Sequence, residues 1–181
     1  MNQRNSGYPR KERDRYETPG WPTDALIPHI PRQPYQIWDP ACASGNMVCR
    51  LSLHYPVRAS DVHETDDDFL KMDKAPDRTD MIITNPPYEA AQKFIEQALV
   101  LMKPCRGMVA MLLRCDFDHA KSRTHLFRGC PAFAKKLALN KRIAWFVEAD
   151  GKPKASPSFN HAWFIWDWRH DGPAVIAYGP A

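Results

Sequence analysis

The sequence predicts an α/β fold: a mostly parallel twisted sheet with helices on both faces and an antiparallel C-terminal strand. Three observations point there. Short apolar runs with β-branched residues recur at 36–39, 57–62, 81–84 and 108–113, each of strand length. Segments of helical spacing lie between them, at 47–54 and above all at 89–102, where Ala90, Phe94, Ile95, Ala98, Leu99 and Met102 share one face. Residues 161–168 carry Trp163, Phe164, Ile165, Trp166 and Trp168, apolar on both alternating faces, as a central strand is.

The bulk properties fit this class and exclude others. A chain of 181 residues suits one domain with a substantial core, expected over 16–181 behind a basic flexible tail at 1–15. Hydrophobic residues make up 44% and charged residues 25%, ordinary values for a soluble globular protein. No apolar run approaches the ~20 residues of a membrane span. The polar first 15 residues lack the apolar stretch of a secretory signal. Cys42, Cys49, Cys105, Cys115 and Cys130 form no Cys-x-x-Cys pair. That spacing argues against a disulfide framework or a zinc site and for a reducing cytoplasm.

Charge is uneven. Residues 61–80 hold eight acids against three bases, and residues 103–154 hold twelve bases against four acids. The basic stretch is compatible either with a nucleic-acid face or with solvated helix surface.

In chain order, Thr23 is a candidate N-cap for a short helix over 24–27. The strand at 36–39 ends in Asp39. Pro40-Ala41-Cys42-Ala43-Ser44-Gly45-Asn46 then makes a tight loop of small residues before the helix at 47–54. Small side chains let backbone N–H groups approach a bound molecule, and the helix N-terminus adds partial positive charge. No Lys-Ser/Thr follows the glycine, so the loop is no phosphate-binding P-loop, nor is it a three-glycine dinucleotide fingerprint.

Asp61, 22 positions after Asp39 and beside Val62, stands where a βαβ unit commonly holds ribose hydroxyls. Asp66-Asp67-Asp68-Phe69-Leu70 reads as a loop with one apolar plug. Residues 121–139 read as helix in pieces, broken by Gly129 and Pro131. A further strand is expected at 143–147, and 171–181 reads as a short tail.

The centre of the chain is Asn85-Pro86-Pro87-Tyr88. It follows the strand 81–84, and two prolines forbid further pairing and hold the backbone extended. Such a corner can simply end a strand. It also presents an amide, two carbonyls and an aromatic ring at the carboxyl end of a sheet, where open α/β sheets bind ligands. Asn85 Oδ1 and the Pro86 carbonyl suit the two hydrogens of an exocyclic amine, and Tyr88 suits the face of a flat ring.

With these pieces placed, the chain resembles the amino-methyltransferases that use S-adenosylmethionine (SAM), specifically the DNA adenine-N6 group. Asn85-Pro86-Pro87-Tyr88 matches that group's catalytic motif. The segment 39–46 looks like its cofactor loop, with Ala43 where the family usually carries glycine. Tyr16-Glu17-Thr18-Pro19 looks like the motif that closes over the methionine end of the cofactor. The likeness spans about 16–168.

The resemblance implies a class I, Rossmann-like methyltransferase domain. It implies a SAM site made from Tyr16, Thr18, Pro19, Asp39, Pro40, Ala41, Ser44, Gly45, Asn46, Asp61, Val62, Asp68, Phe69 and Asn85, with Asp61 on the ribose and Asp68-Phe69 near the adenine. A target base would be flipped out of duplex DNA and stacked on Tyr88. Phe159 or Trp163 is a candidate for the other face, though both also read as packing residues. Arg114, Lys121, Arg123, Lys152 and Lys154 could hold phosphates. No metal or strong base is required. With no separate recognition domain, target choice falls to the loops at 114–142 and 150–160, a partner subunit or a homodimer. RNA adenine, cytosine N4 and a protein glutamine remain alternative acceptors, and a non-catalytic DNA-binding subunit of the same fold is the rival to an enzyme.

Overall fold

The computed structural model describes residues 17–65, 67–145 and 158–180. One sheet organises them, with β1 (Ile37–Asp39), β2 (Val57–Ala59), β3 (Met81–Thr84), β4 (Met108–Arg114), β5 (Phe133–Ala138), β6 (His161–Asp167) and β7 (Val175–Tyr178). Their spatial order is β2-β1-β3-β4-β6-β5-β7. The pairs β2–β1, β1–β3 and β3–β4 are parallel, and β6 runs antiparallel to both β4 and β5. β7 returns parallel to β5.

Alternation along the strands divides the core into two layers. Ile82, Val109, Met111, Phe164 and Trp166 face α3 (Ala91–Met102), whose Phe94, Ile95, Ala98 and Met102 are buried against them. Met81, Ile83, Ala110, Leu112, Trp163 and Ile165 face α1 (Gly20–Leu26) and α2 (Asn46–Ser52) through Leu26, Met47 and Leu51. β3 is buried at all four positions, as a central parallel strand covered on both faces must be. Among the described residues no helix is long and apolar enough to cross a membrane.

Several expectations change. Residues 133–138 form β5, not helix. Their Ala, Lys and Leu favour a helix intrinsically, but pairing with β6 and β7 overrides that preference. A register shift at Phe133/Lys135 absorbs the misfit. The expected tail contains β7, whose Val-Ile-Ala-Tyr suits an edge strand. Residues 143–145 form no strand, although Ile143 is buried; 146 and 147 lie outside the described residues. The first helix starts at Gly20 behind Pro19, so Thr23 lies inside it and fully buried rather than capping it. Pro22 is tolerated there because first-turn N–H groups need no helical partner.

Candidate active site

The strand order reverses between β1 and β3, and the crevice outside their carboxyl ends is where an open α/β sheet binds ligands. Two side chains close the base of that crevice. Thr84 Oγ1 donates to Asp39 Oδ1 at 2.7 Å, and the Ala41 amide donates to the same oxygen at 3.2 Å. Asp39 is 1% exposed. Burial pushes its carboxyl up to about 7, against the pull of the Thr84 and Ala41 hydrogen bonds.

Above Asp39, the loop expected to approach a ligand does form a tight turn. Gly45 N–H donates to the Cys42 carbonyl at 2.8 Å, and Gly45 itself has φ +82°, which glycine adopts at little cost. Ala43 also has positive φ, +46°, at the position where glycine is usual in the resembling family. Its amide donates to Asp61 Oδ2 at 3.1 Å, and Asp61 Oδ1 accepts from the His63 amide at 3.0 Å. Asp61 is thus the brace between the end of β2 and the loop. The Cys42 thiol is pushed up to about 11, by burial first and then by Asp39 and Asp61, and is no nucleophile at neutral pH.

A small, open cleft lies here, lined by Glu17, Thr18, Asp39, Ala41–Ser44, Asn46, Met47 and Asn85. Of the residues expected around a cofactor, Thr18, Asp39, Ala41, Ser44, Asn46 and Asn85 line this cleft together, while Gly45, Asp61 and Val62 lie outside its lining. The sequence reading had not singled out Glu17, Cys42, Ala43 or Met47 as site residues. Thr18 reaches across the sheet edge, where Asn85 Nδ2 donates to Thr18 Oγ1 at 3.2 Å. Pro40 is buried behind the loop, Pro19 is half-buried at the start of α1, and Val62 is 45% exposed. Tyr16, Lys152 and Lys154 lie outside the described residues.

Phe69 departs from its expected place beside a cofactor adenine. It is 2% exposed and packs edge-on to Trp38 at 5.2 Å and against Phe94 at 4.8 Å, because this short 3₁₀ turn has to cover one face of the core. Asp68 caps that turn through the Leu70 amide and pairs with Lys71 at 2.9 Å. Neither residue lines the cleft.

On the acceptor side, Pro86 is buried and Pro87 extended, and the chain turns directly into a 3₁₀ turn at Tyr88–Ala90 that leads into α3. Tyr88 is 45% exposed. The Arg114 guanidinium, at the end of β4, lies 5.7 Å from the Tyr88 ring centroid and 3.9 Å from that of Phe159. Asp116 accepts two hydrogen bonds from it, at 3.2 and 2.7 Å. Tyr88, Arg114 and Phe159 therefore meet beside the corner.

Trp163, the other candidate for this role, does not join them. It is fully buried and donates its ring N–H to the Pro22 carbonyl at 2.7 Å, because β6 is central and its side chains are core. Lys121 is exposed, and Arg123 lies over the Phe117 ring at 3.9 Å; both belong to the 3₁₀ segment Lys121–Leu126. His161 stands opposite Arg114 in the β4–β6 ladder, and burial followed by the Arg114 charge lowers its pKa to about 4.

The sheet order, the reversed β6 and the cleft at the switch point define the class: the fold is that of the class I SAM-dependent methyltransferases. Individual solved structures agree. The chain is similar to a Listeria monocytogenes protein described as a class I SAM-dependent methyltransferase, with TM-score 0.58 and 16% identity over 90% of this chain and 63% of that one. It is also similar to a Vibrio vulnificus protein described as the modification subunit of a type I restriction enzyme, with TM-score 0.54 and 14% identity over 91% of this chain and 46% of that one. The 23S rRNA methyltransferase ErmE matches with TM-score 0.51 and 12% identity over 88% of this chain and 71% of that one. The chain thus spans under two thirds of the Listeria protein and about half of the Vibrio protein. No family model matches the chain, and no curated protein matches it by sequence.

Proposed function

We propose that this chain is a SAM-dependent N-methyltransferase whose acceptor is the N6 amine of an adenine flipped out of duplex DNA. The observation that carries the proposal is the orientation of Asn85. Its Nδ2 is held by Thr18, which leaves Oδ1 to accept from an amine at the mouth of the cleft.

The cleft suits SAM in its donor set. Small residues at 41–45 let backbone groups approach the methionine end, and a cationic ligand above Asp39 would draw its raised carboxyl toward the ionised form. Beside the cleft's lining, Asp61 is 6% exposed and uses one acceptor position on each carboxylate oxygen internally, and we assign its remaining capacity to ribose hydroxyls. When bound, SAM supplies an electrophilic methyl on a sulfonium.

The protein's share of the chemistry is positioning and electrostatics. An adenine N6 lone pair is delocalised into the ring and is a poor nucleophile. Asn85 Oδ1 and the Pro86 carbonyl, each accepting one amine hydrogen, favour a more tetrahedral nitrogen and stabilise the charge that develops on it. Tyr88 stacks on one face of the base. Exposed basic residues beyond the corner, Lys121 among them, supply phosphate contacts, and sequence choice rests on the loops flanking β4 and β6 or on a partner or second copy.

The test is transfer of tritiated methyl from SAM to unmethylated duplex DNA, with nucleoside analysis of the product. N6-methyladenine is expected. Label in N4-methylcytosine, in RNA or in a protein glutamine changes the acceptor and keeps the corner's role. Absence of transfer to any of them, with SAM bound, favours a non-catalytic DNA-binding subunit.

A further inference from the structure

We infer that Arg114, rather than an aromatic residue, forms the second wall of the acceptor slot, with its guanidinium plane stacked on the acceptor ring opposite Tyr88. This rests on the proposed function. Sequence reasoning gave Arg114 to a phosphate and the opposite face to Phe159 or Trp163. The geometry reassigns both. Trp163 is in the core. Phe159 is covered on one face by Arg114 at 3.9 Å, so a ring entering beside Tyr88 meets the guanidinium before it meets Phe159.

Arg114 is built as a fixed surface. Phe159 backs it, and Asp116 holds it through two hydrogen bonds of 3.2 and 2.7 Å. That bidentate pair fixes the plane as well as the charge. The side chain is 28% exposed, so it is not a freely moving surface arginine. The carboxylate also neutralises the guanidinium, which suits contact with an uncharged base more than capture of a phosphate.

Tyr88 is the facing wall. It is 45% exposed and follows Pro87 on a single 3₁₀ turn. The present 5.7 Å between Tyr88 and Arg114 is shorter than two stacking separations, so the slot widens slightly when a base enters. A guanidinium plane is a good platform for an unpaired base, since it stacks on any of them.

The test uses an unmethylated oligonucleotide carrying 2-aminopurine, titrated into the full-length protein with saturating S-adenosylhomocysteine, over a series of salt concentrations. For a stacking wall, Arg114→Lys keeps the charge but loses the plane. It binds about tenfold more weakly than wild type and loses the quenching that reports stacking, while the slope of log affinity against log salt stays the same. Phe159→Ala, which removes the backing, shifts affinity in the same direction by about threefold. S-adenosylhomocysteine affinity is unchanged in both variants.

A phosphate ligand gives the opposite pattern: Arg114→Lys binds like wild type, and Arg114→Met lowers the salt slope by about 1. That result overturns the inference and leaves the proposed function standing. Wild-type protein that neither binds nor quenches the oligonucleotide, yet binds S-adenosylhomocysteine, overturns the nucleic-acid reading and the inference with it.

Discussion

Asn85 Nδ2 donates to Thr18 Oγ1 across 3.2 Å, joining the corner after β3 to the segment that precedes α1. An amide can present either end to a substrate; here the nitrogen faces Thr18 and the oxygen is the end left for an acceptor amine. Asn85→Ala should therefore lower methyl transfer by at least ~10²-fold, the scale of losing a preorganised polar contact in the transition state. SAM affinity by calorimetry should stay within about threefold. Thr18→Val should keep the fold and cost roughly tenfold in kcat, because the amide is then free to turn. Equal losses of SAM affinity and rate in Asn85→Ala would show that Asn85 serves the cofactor instead.

Asp61 braces the cofactor loop through the Ala43 and His63 amides. Charge-assisted bonds of this kind are worth ~1.5–3 kcal/mol each. Asp61→Ala should weaken SAM binding by more than tenfold before it affects turnover at saturating SAM. Wild-type affinity in a calorimetric titration would remove Asp61 from the site.

The Asp39 carboxyl titrates at about 7 in the folded protein, because burial disfavours the charged form, and near 3.9 when unfolded. Below about pH 4 both states hold the proton. Between about pH 4 and 7 the unfolded chain releases it first, so this group's contribution to stability is lost as pH rises through the folded value. Asp39→Asn keeps an oxygen to accept from Thr84 and Ala41 and has no proton to lose. Its thermal midpoint should match wild type near pH 4 and exceed it by several degrees near pH 8. Parallel pH profiles would show that Asp39 ionises freely.

Ala43 holds φ +46° without being glycine. Left-handed backbone costs an L-residue ~1–2 kcal/mol, partly offset here because alanine loses less entropy than glycine on folding. Ala43→Gly should leave stability unchanged or raise it by up to ~1 kcal/mol in urea unfolding, with SAM affinity intact. Ala43→Val should destabilise by more than ~1 kcal/mol, since a β-branched residue is poorly accommodated there. A tolerant valine would mean that the loop adopts another conformation in solution.

β1, α2, β3, α3 and β4 were legible because each satisfies one strong local rule, whereas α1 begins four residues before its expected start. The 81–83 run is continuously apolar, and 91–102 keeps a helical apolar stripe. The cofactor loop and the Asn85 corner were legible as residue types in order. What the sequence hid was pairing at a distance. β5 and β7 have weak local patterns and exist because β6 offers them an edge. Phe69 looked like a ligand contact because nothing local reveals that Trp38 and Phe94 enclose it. Trp163 was a plausible base contact until its ring proved committed to Pro22. Asp116 drew no notice beside Arg114, although the spacing Arg-Cys-Asp was visible, because a two-residue separation does not reveal that the side chains turn toward each other.

β6 is the one strand of the seven that runs against the rest. Its reversal delivers a chain entry, not an exit, to the edge where β4 ends, so Arg114–Asp116 and Phe159–His161 become neighbours despite distant positions in the chain. The cofactor cleft draws on a different set of connections, those after β1 and β3 and before α1. A change at 114–116 or 159–161 can therefore reshape the rim beside the corner while the cleft keeps its form, so under the proposed function target preference and reaction chemistry can diverge independently within one sheet.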